Sequence, residues 1–149
     1  MSRRRPNDYT LWIGIDNYKH AFELQRYVVI LHKNNGRMCE WFSTSYEYRG
    51  PARDGVWKHG NRSINPRSED HAYCENLYNK QFIGHVSAKD LDNLTLYFDC
   101  TRARESQFFV FRWLYLCADK GILRVEDVDR VRPVVEFGEG SMRYIDVTK

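Results

Sequence analysis

The run Ser106-Gln107-Phe108-Phe109-Val110-Phe111-Arg112-Trp113-Leu114-Tyr115-Leu116 constrains this chain more than any other stretch. Helical spacing puts Phe109, Trp113, Leu116 and Lys120 on one face, while Phe108, Phe111, Leu114 and Tyr115 widen the apolar arc almost all the way round. A helix apolar on nearly every side must be buried, so the rest of the chain has to cover it. Gly121 supplies the left-handed residue that ends it, at about Lys120. The same run excludes a chemistry. It follows the strand-like Leu94-Thr95-Leu96-Tyr97-Phe98-Asp99, the place where many small α+β enzymes hold a reactive Cys or Ser, and that place is filled by aromatic and aliphatic side chains.

At 149 residues the chain fits one domain, with Met1 to Asp8 as a flexible basic tail and 9–149 as the folded unit. Aromatic residues are 15% of the total, enough to fill a core and still line a pocket. The net charge of +3 is small and its only cluster, Arg3-Arg4-Arg5, sits in the tail, so no nucleic-acid-binding face is expected. Cys39, Cys74, Cys100 and Cys117 form no C-x-x-C pair, a spacing that suits reduced thiols in a cytoplasmic protein better than a zinc site or a disulfide framework. No apolar run reaches the roughly twenty residues of a membrane span, and no signal-peptide core precedes the domain. The sequons Asn61-Arg62-Ser63 and Asn93-Leu94-Thr95 then read as chance matches.

The order of elements predicts an α+β fold, an antiparallel sheet packed on one long buried helix. Residues 9 to 16 are rich in strand formers, and Tyr27 to His32 is a continuous apolar run. Asn34-Asn35-Gly36 then supplies the positive-φ residues of a tight hairpin into Arg37-Met38-Cys39-Glu40-Trp41-Phe42. From Tyr48 to Asn79 periodicity disappears among Gly50-Pro51, Asp54-Gly55, His59-Gly60-Asn61 and Asn65-Pro66, which predicts a long packed loop or lid. Gln81 to Val86 reads as a strand, and Ser87 with Asp90 as the start of a short helix through Leu91 and Leu94. Val125 to Val131 forms a helical turn on this reading, and Val134 to Phe137 and Met142 to Val147 two closing strands around Gly138-Glu139-Gly140.

This order, with Phe82-Ile83-Gly84-His85-Val86, Asp90 to Leu94, and Trp113 through Gly121-Ile122-Leu123, resembles the small fungal proteins with a papain-like, NlpC-type fold over residues 9 to 123. In that family a Cys begins the long helix a few residues before a Trp, and a His opens a strand of the first hairpin, as a nucleophile and base. Here the Cys position falls on Phe109 or Val110 and the His position near Arg26. The resemblance therefore implies a member without the dyad. Its cleft, between the first hairpin and the helix start, would bind a ligand or catalyse something other than hydrolysis, with Arg26 facing Phe109 and Val110.

Candidate residues follow. His20, His32, His59, His71 and His85 show no i, i+2 or i, i+4 ligand spacing, so no metal is expected. His85 stands out because its strand would flank the cleft. Asp16, Glu23, Glu40 and Asp99 lie near predicted strand ends, where a cleft could raise their pKa for acid-base catalysis, although the general exposure of Asp and Glu makes solvated caps and turns the ordinary reading. Arg26 and Arg112 interrupt apolar contexts and need an acidic or carbonyl partner, from the protein or from a ligand. Trp41 and Trp57 could together roof an apolar pocket, with Phe109, Val110 and Trp113 either core or pocket wall.

The reading that follows is a cofactor-independent pocket protein for a hydrophobic, polyketide-like metabolite, acting as a cyclase or isomerase, with Arg26, Tyr27, His85 and Arg112 as polar groups. Folding a flexible substrate lowers its barrier without a nucleophile. The rival is a non-catalytic protein interaction module. Homodimer formation stays open. Hydrolysis through Cys39 or Cys117 is least favoured, because neither begins a helix.

Overall fold

Five strands assemble into one antiparallel sheet; the computed structural model describes residues 9–16, 26–33, 39–49, 54–64 and 77–137. They are β1 (Tyr9–Asp16), β2 (Arg26–Lys33), β3 (Cys39–Arg49), β4 (Asp54–Ile64) and β5 (Leu77–Val86), in the order β4-β3-β2-β1-β5. A 3-10 turn, Ala88–Asp90, leads into α1 (Leu91–Cys100), α2 (Ser106–Asp119) and α3 (Val125–Phe137). The α+β class read from the sequence is the architecture observed. The basic tail, the Asn34-Asn35-Gly36 turn and the 142–147 strand lie outside the described residues.

Strand alternation divides the sheet into two faces. Leu11, Ile13, Ile15, Tyr27, Val29, Leu31 and Phe42 turn toward the helices and join their buried side chains in the main core. Val28, Ile30, Cys39 and Trp41 turn the other way, with Trp12 packed beside them. The sequence hairpin is present, with Val29 opposite Phe42 and Ile30 opposite Trp41.

The centre of the main core is aromatic. Phe98 lies within 5.3 Å, centroid to centroid, of Phe42, Phe109 and Trp113, each edge to face. Trp113 donates its indole N–H to the Leu94 carbonyl at 3.1 Å, so its burial leaves no donor unpaired. Gly121, with φ +84°, closes α2 in the left-handed conformation expected of it.

Four local expectations are corrected. Leu94 to Asp99 is not a strand but the body of α1: Leu94 and Phe98, four apart, are buried while Leu96 is 50% exposed, the helical period. Val134 to Phe137 continues α3, whose buried Val128, Val131 and Val135 keep helical spacing, with Pro133 accommodated inside the helix. The segment expected as a 48–79 loop contains β4, fully paired with β3 from Cys39 opposite Ile64 to Arg49 opposite Asp54. Its glycines disguise it, and Gly55 is required, since a Cβ there would sit 2.6 Å from the Tyr46 ring. Ser87 precedes a 3-10 turn and accepts through its carbonyl from the Asp90 N–H at 2.9 Å, making no side-chain cap.

Two irregularities dock α3 onto β5. Leu11 pairs with Gly84 and Trp12 with Phe82, so Ile83 is an extra residue, turned into the core. The carbonyls of Phe82 and Ile83 at this bulge accept from the Arg130 guanidinium at 3.3 and 3.2 Å. At the second register shift Asn79 takes φ +53°, a conformation Asn tolerates, and its amide donates to the Val134 carbonyl at 2.9 Å.

Trp113→Ala is expected to lose about 3–5 kcal/mol, as for other buried aromatic truncations. Leu96→Ala should stay within about 0.5 kcal/mol, as for exposed positions. Urea unfolding of both variants measures this.

Candidate functional site

The described residues nominated from sequence do not converge on one groove. Phe109, Val110 and Trp113 are 0% exposed and belong to the core, which corrects their assignment as pocket wall. The cleft expected between the hairpin and the helix start is filled by the rings of Phe42, Phe98, Phe109 and Trp113. Trp41 and Trp57 stand on opposite faces of the sheet and cannot roof one pocket. Trp41 stands with Val28 and Ile30 away from the helices, whereas Trp57 lies opposite Tyr46, two residues along from Thr44, which donates to the Arg104 carbonyl at 2.5 Å on the helix side. The Trp57 and Tyr46 rings meet edge to face at 5.3 Å.

The start of β2 nevertheless meets the start of α2. The buried Tyr27 N–H donates to Ser106 Oγ at 2.8 Å, and the Ser43 hydroxyl donates to the Tyr27 carbonyl at 2.7 Å. Alternation then sends the Arg26 side chain to the open face and Tyr27 to the helix side, so Arg26 does not face Phe109 and Val110. Arg26, Arg112 with Tyr27, and His85 line three separate hollows.

The largest hollow, about 560 Å³, lies beside α2 and α3 and is lined by Tyr27, Arg104, Phe108, Arg112, Tyr115 and Arg132, among others. Its character comes from cations laid over rings. The Arg104 guanidinium sits 5.3 Å from the Phe108 ring centroid, and that of Arg132 sits 5.6 Å from both Phe111 and Tyr115. Arg132 is paired with Glu136 at 3.1 Å, but Arg104 and Arg112 have no carboxylate partner among the described residues. Phe108 is 55% exposed, an apolar ring kept at the rim. Tyr115 donates its hydroxyl to Asp129 at 2.6 Å. Burial raises its phenol above the ordinary value of 10.0, and the Asp129 hydrogen bond acts in the same direction, so Tyr115 is a neutral donor at physiological pH. Its hydrogen bond with Tyr115, then that with Glu136, holds Arg132 still more firmly in the charged form.

A second cavity of about 230 Å³ opens on the other face of the sheet, lined by Arg26, Val28, Trp41, Ser43, Asn61 and Arg62, among others. The Trp41 indole N–H, buried in its wall, has no hydrogen-bond partner among the described residues. A buried donor left unsatisfied costs about 1–3 kcal/mol. Trp12 and Trp113, by contrast, have acceptors at 3.1 Å in Thr10 Oγ1 and the Leu94 carbonyl.

The third hollow, about 360 Å³, holds exposed His85, whose ring meets Phe82 edge to face at 5.3 Å, together with Asp127 and Arg124. Residues the sequence reading passed over include Arg104 and Arg132 at the first hollow and Arg62 at the second. It also passed over the role of His59, whose Nε2 donates to the Thr101 carbonyl at 2.7 Å and whose ring packs on Phe98 and Phe109. Arg132 and Arg62 were hidden because the sequence reading ends the helical turn of α3 at Val131 and places a loop where β4 stands.

Among the described residues no group of three or more His, Cys, Asp or Glu is placed to hold a metal ion, and no helix is long and apolar enough to cross a membrane. Comparison with protein-family models, with curated proteins and with solved structures finds no match to this chain.

Burial pushes the Cys117 thiol up to about 12, so it stays protonated and unreactive at neutral pH. Cys100 is exposed, while Cys39 and Cys117 are buried. Iodoacetamide at pH 8 is therefore expected to modify Cys100 in the folded protein and to spare Cys39 and Cys117 until denaturant is added, as read by peptide mass mapping. Cys117→Ala should also remove a loss of stability that sets in above the ordinary thiol value of 9.0 and grows toward pH 12, because only the unfolded chain releases that proton there.

Proposed function

We propose that the protein is a small-molecule-binding pocket protein of the cytoplasm. It takes a flat, largely hydrophobic molecule that carries a carbonyl, enolate or acidic oxygen, in the hollow beside α2 and α3. The observation that carries this reading is the pair of guanidiniums without carboxylate partners among the described residues, Arg104 and Arg112, set among the rings of Phe108, Phe111 and Tyr115. Rings offer stacking area to a flat body, and arginine offers bidentate donors to an oxygen anion. The two together select an apolar molecule with an anionic end.

Two of the four polar residues nominated from sequence, Tyr27 and Arg112, line this hollow, and Arg26 and His85 have no part in it. On this reading a cyclisation or isomerisation proceeds by holding the substrate in its reactive fold against Phe108 and Phe111 while Arg112 and Arg104 stabilise the developing oxyanion. Tyr115, whose hydroxyl proton is given to Asp129, adds its ring to the wall of the hollow. With Arg26 on the open face, the facing of Arg26 and the start of α2 that the papain-like resemblance implied is absent.

A second reading has one specific observation in its favour. Phe108, more than half exposed and flanked by Arg104 and Arg112, could instead anchor a protein partner.

The fluorescent probe 1-anilinonaphthalene-8-sulfonate has the required shape and charge. It is expected to bind saturably, and Arg112→Ala and Arg104→Ala should each weaken that binding about fivefold or more, the range for loss of one charge-assisted hydrogen bond. Saturable binding unchanged in both variants, or no binding at all, would count against the site. Native mass spectrometry of the purified protein tests the same reading for a carried metabolite.

A further inference from the structure

We propose that the cavity on the open face of the sheet is a second binding site, separate from the hollow beside α2 and α3, and that it takes a small organic carboxylate with a flat apolar body.

The charged groups among the described lining residues are both cationic. Trp41 is only 7% exposed, yet its indole N–H has no acceptor among the described residues. Two further donor side chains, Arg26 and Arg62, stand in the same wall, and among the described residues no Asp or Glu lines the cavity. The Ser43 hydroxyl donates to the Tyr27 carbonyl, 2.7 Å away, and makes no hydrogen bond with the Trp41 indole. A site built this way is complete only when an oxygen acceptor enters it.

Shape narrows the class. Val28 is fully buried and forms an apolar floor with the Trp41 ring, over which the Arg62 guanidinium lies 5.3 Å from the centroid. The volume of about 230 Å³ equals roughly eight waters at about 30 Å³ each, room for a single ring with one carboxylate. Planar guanidinium matches carboxylate in two hydrogen bonds, which a neutral carbonyl cannot use. The β3–β4 register makes the arrangement rigid, with Trp41 opposite Arg62 and Ser43 opposite Gly60, whose missing side chain leaves the space open.

Benzoate is the probe. In a titration of the ¹⁵N-labelled full chain, the Trp41 indole resonance, assigned by its loss in Trp41→Phe, is expected to move and saturate at millimolar benzoate. Trp41→Phe keeps the ring and removes the donor, and should weaken benzoate binding about tenfold, as read from neighbouring backbone amides; Arg62→Ala, an exposed change that leaves the core intact, should weaken it at least fivefold. The remaining indole resonances report that both variants are folded. Inorganic phosphate should leave the Trp41 resonance in place. The proposal is overturned if benzoate leaves that resonance unmoved, if phosphate moves it as well as benzoate does, or if Arg62→Ala binds benzoate like the parent. Because Arg104 and Arg112 take no part in this cavity, loss of the helix-side site would leave the result unchanged.

Discussion

Everything in this molecule is arranged around four rings, Phe42, Phe98, Phe109 and Trp113, each from a different turn or strand and each in contact with at least two others. Such pairs contribute about 0.5–1.5 kcal/mol each beyond the area they bury. The edge-to-face contacts of Phe98 join α1 to both α2 and β3. The space between sheet and helix start is thereby occupied. Any hollow is therefore left to the periphery of the core. The three hollows all form there, where polar side chains reach past the packed rings.

Periodicity was legible in the sequence wherever one element met one environment. The hairpin of β2 and β3, the strand through Ile83, and α2 with its Gly121 terminus each carry their own signal, and each is present. What could not be read locally depends on a partner. β4 contains Gly55 and Gly60 and few β-branched residues, and it is a strand because β3 pairs with it along its length. Its Gly55 is dictated by the Tyr46 ring across the ladder, a contact that has no trace in the neighbouring sequence. α3 carries the β-favouring pair Val134-Val135, yet tertiary burial of Val128, Val131 and Val135 overrides that preference. The site residues followed their elements. Arg112 and Tyr27 sit on elements the sequence declares, and Arg104, Arg132 and Arg62 sit beside or on those it conceals.

The placement of α3 decides what the helix-side hollow can do. Arg130 is held by the bulge carbonyls of β5, and Asn79 holds the Val134 carbonyl two residues beyond Arg132. The helix therefore cannot slide along the sheet without breaking contacts at both points. That fixed seat brings Arg132 over Phe111 and Tyr115 of α2, and brings Asp129 to the Tyr115 hydroxyl. The β5 irregularities, which have no chemistry of their own, thus set the geometry of three side chains on the opposite side of α3.

Two consecutive residues show how one strand serves two surfaces. The backbone of Tyr27 is clamped on both sides, its N–H by Ser106 and its carbonyl by Ser43. Strand alternation then aims Tyr27 at the helix-side hollow and Arg26 at the open-face cavity. A one-residue slip of β2 would exchange the two and put a guanidinium into the apolar core, at a desolvation cost the fold cannot sustain. The two clamping serines hold the register at the point where an error would be most damaging. They also leave the two cavities chemically independent while their walls share a backbone.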